Sequence, residues 1–166
     1  ILESMLNVSI IIPAWNEEER IADCLTNTIR QTAMPHEILV VDNRSTDSTC
    51  TIVEEFMAQH PEAPIRLLHR NDEQGLIPTR NYGLDAATGD VLGRIDADCM
   101  LKPDWVEVVA GIFTEDDEIL EIQDDYRITG ISIDGNDLKG YKIVRDWSVS
   151  EYKDSIEKLQ DFFYTK

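Results

Sequence analysis

Val91-Leu92-Gly93-Arg94-Ile95-Asp96-Ala97-Asp98 reads as a short apolar strand that ends in two carboxylates. The end of a buried strand is a rigid mount, so two acids there make a small, doubly negative edge. Mg²⁺ and Mn²⁺ typically keep one or two protein carboxylates and complete their octahedron from water and substrate phosphates. The triplet therefore suggests a place where metal and diphosphate meet. An Asp pair at a strand end also suits a turn with a helix cap, and the triplet alone does not separate the two.

Working outward, the same pattern recurs. Val8-Ser9-Ile10-Ile11-Ile12-Pro13 is an apolar run closed by proline, and Asn16-Glu17-Glu18-Glu19 is expected to open a helix with acids in its first turn. Ile21, Leu25 and Ile29 then recur on one helical face. Glu37-Ile38-Leu39-Val40-Val41-Asp42 is a second buried strand. Ser45-Thr46-Asp47-Ser48 offers N-caps for a helix whose apolar face is Ile52, Val53, Phe56 and Met57. Ile65-Arg66-Leu67-Leu68-His69 is a third strand, and the polar stretch Asn71 to Gly75 a loop. A helix is expected from Thr79 to Ala87, and another with Pro103 as its first residue, running through Trp105, Val108, Val109 and Ile112. Strand and helix alternate, and the strands read as continuous apolar runs. The expected fold is α/β, a mostly parallel sheet with helices on both faces. Ligands of such sheets bind beyond the carboxyl ends of the strands. Topology alone gathers Pro13 to Glu17, Asp42 to Asp47, the loop after His69 and Asp96 to Asp98 on one edge.

Composition bounds the partners. The chain has 166 residues and a net charge of −18, from 33 acidic and 15 basic residues. That disfavours nucleic acid and anionic membrane surfaces, which need basic groups. Any nucleotide must arrive with a metal or beside a local basic group. Cys24, Cys50 and Cys99 form no CxxC pair and no zinc-ligand pattern, so they are expected to be reduced thiols. Met5 is read as the natural start. Ile1 to Met5 is short and not basic, and no apolar run approaches the ~20 residues of a membrane span. The expected location is the cytoplasm, including the cytosolic face of a membrane.

The character changes at the acidic run Glu115-Asp116-Asp117-Glu118. A boundary is placed near 114–125, giving a first domain over 5–118 and a second segment over 119–166. The second segment reads as a short β-hairpin, Ile131-Ser132-Ile133 and Tyr141-Lys142-Ile143-Val144 about the turn Asp134-Gly135-Asn136-Asp137. A helix bearing Tyr152, Ile156, Leu159 and Phe163 follows.

Four blocks together point to a family. They are Val8-Ser9-Ile10-Ile11-Ile12-Pro13-Ala14-Trp15-Asn16-Glu17-Glu18; Glu37-Ile38-Leu39-Val40-Val41-Asp42-Asn43-Arg44-Ser45-Thr46-Asp47; Gly75 with Arg80-Asn81-Tyr82-Gly83 and Ala87-Thr88-Gly89-Asp90; and Ile95-Asp96-Ala97-Asp98. In this order and spacing, over residues 6–113, the chain resembles the family 2 glycosyltransferases, which adopt the Rossmann-like GT-A fold. The resemblance implies transfer of a sugar from a nucleotide-diphosphate sugar to a hydroxyl of a saccharide or lipid-linked acceptor. It also implies Mg²⁺ or Mn²⁺ and an inverting outcome. By the same resemblance Asp98 is the metal ligand, and Asp96 sits nearer the ribose or the hydrated metal. Pro13, Ala14 and Glu17 line the nucleoside pocket, Asp42 and Asn43 meet the nucleobase or ribose, and Arg80 approaches the diphosphate. Read as residues alone, Glu17 is also a helix N-terminal charge, Asp42 and Asn43 are also turn and cap residues, and Arg80 is also a surface arginine. Trp15 and Trp105 read as core or rim packing ahead of sugar stacking, and His69 as structural.

An inverting transfer needs a general base, which the family carries after the Asp-x-Asp. Asp116, Asp117, Asp124 and Asp125 follow here without matching context, and none is assigned. The alternative reading is a non-catalytic or truncated nucleotide-sugar-binding module that lacks the acceptor half. A sugar nucleotidyltransferase is disfavoured because Pro13-Ala14-Trp15-Asn16-Glu17 has neither glycine nor a basic residue to hold a triphosphate. A phospho-receiver domain is disfavoured because the third strand ends in His69-Arg70 rather than a lone Asp.

Overall fold

A computed structural model of the chain describes residues 5–115, 121–122 and 142–145. Strands β1 (Val8–Ala14), β2 (Glu37–Asp42), β3 (Ile65–His69) and β4 (Val91–Arg94) alternate with helices α1 (Ile21–Ile29), α2 (Thr49–Gln59), α3 (Leu76–Ala86) and α4 (Trp105–Glu115). Two further short strands, β5 (Glu121–Ile122) and β6 (Lys142–Arg145), complete a sheet of order β3-β2-β1-β4-β6-β5. Every pairing is parallel.

Both faces of the sheet are covered, which is why the strands read as unbroken apolar runs. Side chains alternate across a strand. Val8, Ile10, Ile12 and Ala14 of β1, with Ile38 and Val40 of β2, pack against Ile21 and Leu25 of α1, Val53 and Phe56 of α2, and Val109 and Phe113 of α4. On the other face Ile11, Leu39, Val41 and Leu92 meet Leu84 and Ala86 of α3. Gly83 sets that second contact. A Cβ there would collide with Ile11 and come within 3.0 Å of Val41 Cγ2, so α3 lies closer to the sheet than any side chain at this position would allow. On the first face Gly93 leaves room for the buried indole of Trp105, whose Cη2 would be only 2.7 Å from an added Cβ.

Element edges differ from expectation in physical ways. Helix α1 starts at Ile21 rather than near Asn16, because Asn16 takes a left-handed backbone (φ 53°) and Glu17 to Arg20 form a turn, with Ile21 N–H on the Glu17 carbonyl. Helix α3 starts at Leu76, ahead of Thr79. Pro78 sits in its first turn, where no N–H is required, and Gly75 before it holds φ 144°, open only to glycine. Helix α4 starts at Trp105 after a turn that includes Pro103. Strand β6 falls where the Tyr141 to Val144 strand was expected, and it lies between β4 and β5 in the main sheet. Its expected hairpin partner Ile131-Ser132-Ile133, the turn and the final helix lie outside the described residues.

The amino ends of β1 and β2 share a buried carboxylate. Glu37 Oε1 accepts from Ser9 Oγ (2.7 Å), Thr88 N (2.6 Å) and Thr88 Oγ1 (3.2 Å), and Oε2 lies 3.4 Å from Arg66 Nη1. Burial pushes the Glu37 carboxyl upward, but the hydrogen bonds from Thr88 and Ser9 outweigh it and hold the pKa below its ordinary 4.5. A carboxylate depressed in the folded state adds stability above its unfolded pKa, and that stability is lost as pH falls through the folded value. Glu37→Gln is expected to cost about 1–3 kcal/mol at neutral pH and to flatten the loss of stability below pH 4.5. Urea melts at stepped pH check this; an acid limb as steep as that of the parent would contradict it.

Candidate functional site

The carboxyl ends of β1, β2 and β4 open onto a cleft of about 500 Å³. Six of the expected residues line it: Pro13, Ala14, Glu17, Asn43, Asp96 and Asp98. Trp15, Gln74, Gly75, Leu76, Thr79 and Ala97 complete the wall. Gln74, Leu76 and Thr79 were not anticipated. The signal for them lay in Gly75, whose backbone lets the chain turn from the loop into α3 at the cleft edge.

The acidic edge is built by the ladder of β4. Ile95 N–H continues the pairing onto the Ile11 carbonyl at 3.0 Å, and Cys99 N–H closes a turn on the Asp96 carbonyl at 2.9 Å. Ala97 is buried, Asp96 is half-buried and Asp98 is exposed. Asp96 Oδ1 is held by Arg80 Nη2 at 3.0 Å, from the largely buried Arg80 side chain. Among the described residues Asp98 accepts only a long contact from Cys99 Sγ, at 3.9 Å. The two acids are therefore unequal. Asp96 is already paired to a cation, and Asp98 offers its oxygens to whatever enters. Arg80 does not line the cleft itself but reaches it through this pair.

The segment after the triplet is anchored on α1. Asn27 pairs with the Leu101 backbone in both directions (2.7 and 2.6 Å). Gln31, two residues past the end of α1, donates to the Lys102 carbonyl (2.8 Å) and accepts from Val106 N–H (3.1 Å). Each side-chain amide supplies a donor and an acceptor, so it stands in for a missing strand.

Two loops facing the cleft are latched together. Asn16 N–H donates to Ser45 Oγ (2.9 Å), and Asn16 Oδ1 accepts from Thr46 N–H (2.8 Å). Glu17 N–H donates to Thr49 Oγ1 (2.8 Å) and Glu18 N–H to Asp47 Oδ2 (3.2 Å), while Ser48 N–H donates back to Glu18 Oε2 (2.9 Å). Thr49 also donates to Asp47 Oδ1 through its N–H (2.9 Å) and its hydroxyl (2.5 Å). Desolvation would raise the Asp47 pKa, but these bonds lower it.

Asn43 acts as a bracket. Its amide donates to the Arg70 and Glu73 carbonyls (both 2.9 Å) and accepts from Gly75 N–H (2.8 Å). It fixes the loop over 70–75 as one wall of the cleft. Asp42 stands behind it and does not line the cleft. Its carboxylate is buried, accepts from Ser45 N–H at 3.3 and 3.4 Å, and lies 3.6 Å from His69 Nδ1. Cys50 Sγ completes a group with Asp42 and His69 whose donor atoms all lie within 4.8 Å of one another. Burial first, then the bond to Asp42 and nearby negative charge, pushes the Cys50 thiol up to about 12. Trp15 is half-exposed at the cleft rim, and Trp105 is core.

A mostly parallel sheet covered by helices on both faces is the architecture of the GT-A glycosyltransferases, and solved structures agree with that fold. The Pyrobaculum calidifontis mannosyltransferase PcManGT, in complex with GDP-Man and Mn²⁺, matches with a TM-score of 0.67 and 26% identity, over 72% of this chain and 36% of that one. TarS 1–349 from S. aureus, in complex with UDP-GlcNAc, shares the fold with a TM-score of 0.63 and 22% identity, over 80% of this chain and 37% of that one. The chain belongs to glycosyl transferase family 2, whose sequence profile matches residues 9–160. Glycosyltransferase AglE of Haloferax volcanii is 36% identical over 102 residues, 60% of this chain and 33% of that protein. The chain spans about a third of the length of its first curated relatives. No helix among the described residues is long and apolar enough to cross a membrane.

Proposed function

We propose that residues 5–118 form the donor-binding domain of a glycosyltransferase that moves a sugar from a nucleotide-diphosphate sugar to a hydroxyl of a saccharide or lipid-linked acceptor. The observation that carries this is the unequal pair at the cleft: Asp98 open, Asp96 held by Arg80. Oxygen donors on a rigid edge fit a hard divalent cation such as Mg²⁺ or Mn²⁺, and one free carboxylate is what such an ion asks of the protein when phosphates supply the rest. Asp98 would hold the ion, with Asp96 beside its water shell or the ribose. A bound ion supplies Lewis-acid stabilisation of a departing diphosphate. The cleft fits in the same way, because its own acids would repel a diphosphate unless a cation intervened.

The chain's residues do the positioning. Pro13, Ala14 and Trp15 present a rigid apolar wall to the nucleoside. Glu17 accepts from a ribose hydroxyl. Asn43 shapes the base end by holding the loop over 70–75, and Asp42 backs it. Arg80 orients Asp96 and adds a positive charge near the diphosphate. We place the transfer on the cytoplasmic side, with an inverting course. The base that an inverting course requires is not assigned; Asp116, Asp117, Asp124 and Asp125 lie outside the described residues. The alternative reading is a donor-binding module without transfer activity of its own.

Calorimetric titration with UDP, GDP and dTDP, each with and without Mn²⁺, tests the proposal. Binding of one of them that requires the metal is expected, and the preferred base names the donor class. No binding to any of the three would overturn it. Turnover of the matching nucleotide sugar then separates transfer or hydrolysis from binding alone.

A further inference from the structure

We propose that Asp42, Cys50 and His69 form a second metal site, selective for a borderline ion such as Zn²⁺ or Co²⁺ and separate from the carboxylate edge of the cleft. The three donors come from three elements: the end of β2, the first turn of α2 and the end of β3. The parallel register pairs Asp42 directly with His69, which brings the carboxylate and the imidazole together. They present one oxygen, one sulfur and one nitrogen within 4.8 Å of one another.

The geometry is close to what such an ion needs. With Zn–S of about 2.3 Å and Zn–N or Zn–O of about 2.0 Å, ligand atoms around a tetrahedral ion lie ~3.3–3.6 Å apart. Asp42 Oδ2 and His69 Nδ1 are already 3.6 Å apart. Closing the remaining gap to the sulfur takes a shift of about 1 Å, within reach of side-chain adjustment at the start of a helix. Asp42 is braced from behind by Ser45 N–H, the kind of outer hydrogen bond that orients a ligating carboxylate. The half-exposed His69 ring leaves an entry path and a fourth position for water. Asp42, Glu54 and Asp47 place negative charge around the sulfur, which favours a cation. On binding, the thiol proton leaves to solvent and the thiolate takes its place on the ion. Thiolate and imidazole donors select Zn²⁺ and Co²⁺ over Mg²⁺ and Ca²⁺, which prefer oxygen. An ion here would tie the loop between β2 and α2 to the end of β3.

The test is optical titration of the reduced chain with Co²⁺. One equivalent is expected to give a thiolate-to-cobalt charge-transfer band in the near ultraviolet and intense visible bands of tetrahedral cobalt. Zn²⁺ should bleach both, and excess Mg²⁺ should not. Cys50→Ser should abolish the charge-transfer band, while Cys99→Ser and Asp98→Ala should keep it. His69→Gln, at a half-exposed position that leaves the core untouched, should weaken binding at least about ten-fold. Absence of the band, or its survival in Cys50→Ser, or its loss in Cys99→Ser, overturns the proposal. No nucleotide enters this experiment, so it can fail or succeed independently of the donor-binding reading.

Discussion

Asp98→Ala is expected to weaken Mn²⁺-dependent nucleoside diphosphate binding at least about 100-fold, since removal of even an outer-shell partner of a metal ligand costs 10–100-fold. The effect should fall on the metal-dependent part alone. Asp98 is exposed and among the described residues accepts only a long thiol contact, so its removal leaves the core intact. Thermal melting should match the parent, and calorimetry should show the residual affinity to be equal with and without Mn²⁺. Asp96→Asn should behave differently. It breaks the ion pair with Arg80 and leaves a guanidinium without its carboxylate, so it should disturb the cleft even without metal. If Asp98→Ala bound nucleotide and Mn²⁺ as the parent does, the metal would have to lie elsewhere.

Trp105→Ala is expected to cost about 3–5 kcal/mol, the range for removing a buried aromatic side chain. Trp105 is 2% exposed, and its ring lies over Gly93 in β4. Gly93, which faces the ring, has no side chain to fill the space. A domain of ordinary stability holds about 5–15 kcal/mol in all, so the melting temperature should fall by roughly 10 °C or more. Urea unfolding with an unchanged slope would show that the loss is one of packing. Since β4 carries the Asp-x-Asp at its end, nucleotide affinity should fall in the same variant, and Trp105→Phe should recover part of both. A melting temperature unchanged in Trp105→Ala would contradict the packing seen at Gly93.

Much of the fold was legible because the sheet is covered on both sides. Ile10 to Ile12, Leu39 to Val41 and Val91-Leu92 had to read as unbroken apolar runs, and they did. The acidic edge was legible because Asp96 and Asp98 are separated by a single residue and need no distant partner to be noticed. Helix starts were less legible. Asn16 and Arg44 both hold left-handed backbone, and nothing in an Asn-Glu-Glu-Glu run or in an arginine announces it. The role of Asn43 was hidden because all three of its amide partners are backbone groups in the loop over 70–75. The Asp42, Cys50 and His69 group was hidden for a related reason. It has no ligand spacing along the chain and arises from the register of β2 against β3 together with the start of α2. Asn27 in α1 and Gln31 just past its end belong to no motif in the sequence, and the path of residues 99–106 shows why amides stand there.

The latch between the first two loops has a consequence for engineering. Asn16, Glu17 and Glu18 give up backbone or side-chain groups to Ser45, Thr46, Asp47, Ser48 and Thr49, and receive some in return. Neither loop keeps its shape without the other. A graft that imports one of them from a relative, to alter which base is recognised, would arrive with the wrong counterpart. Under the donor-binding role proposed for the cleft, a transplant of both segments together is what would carry the nucleoside end from one scaffold to another.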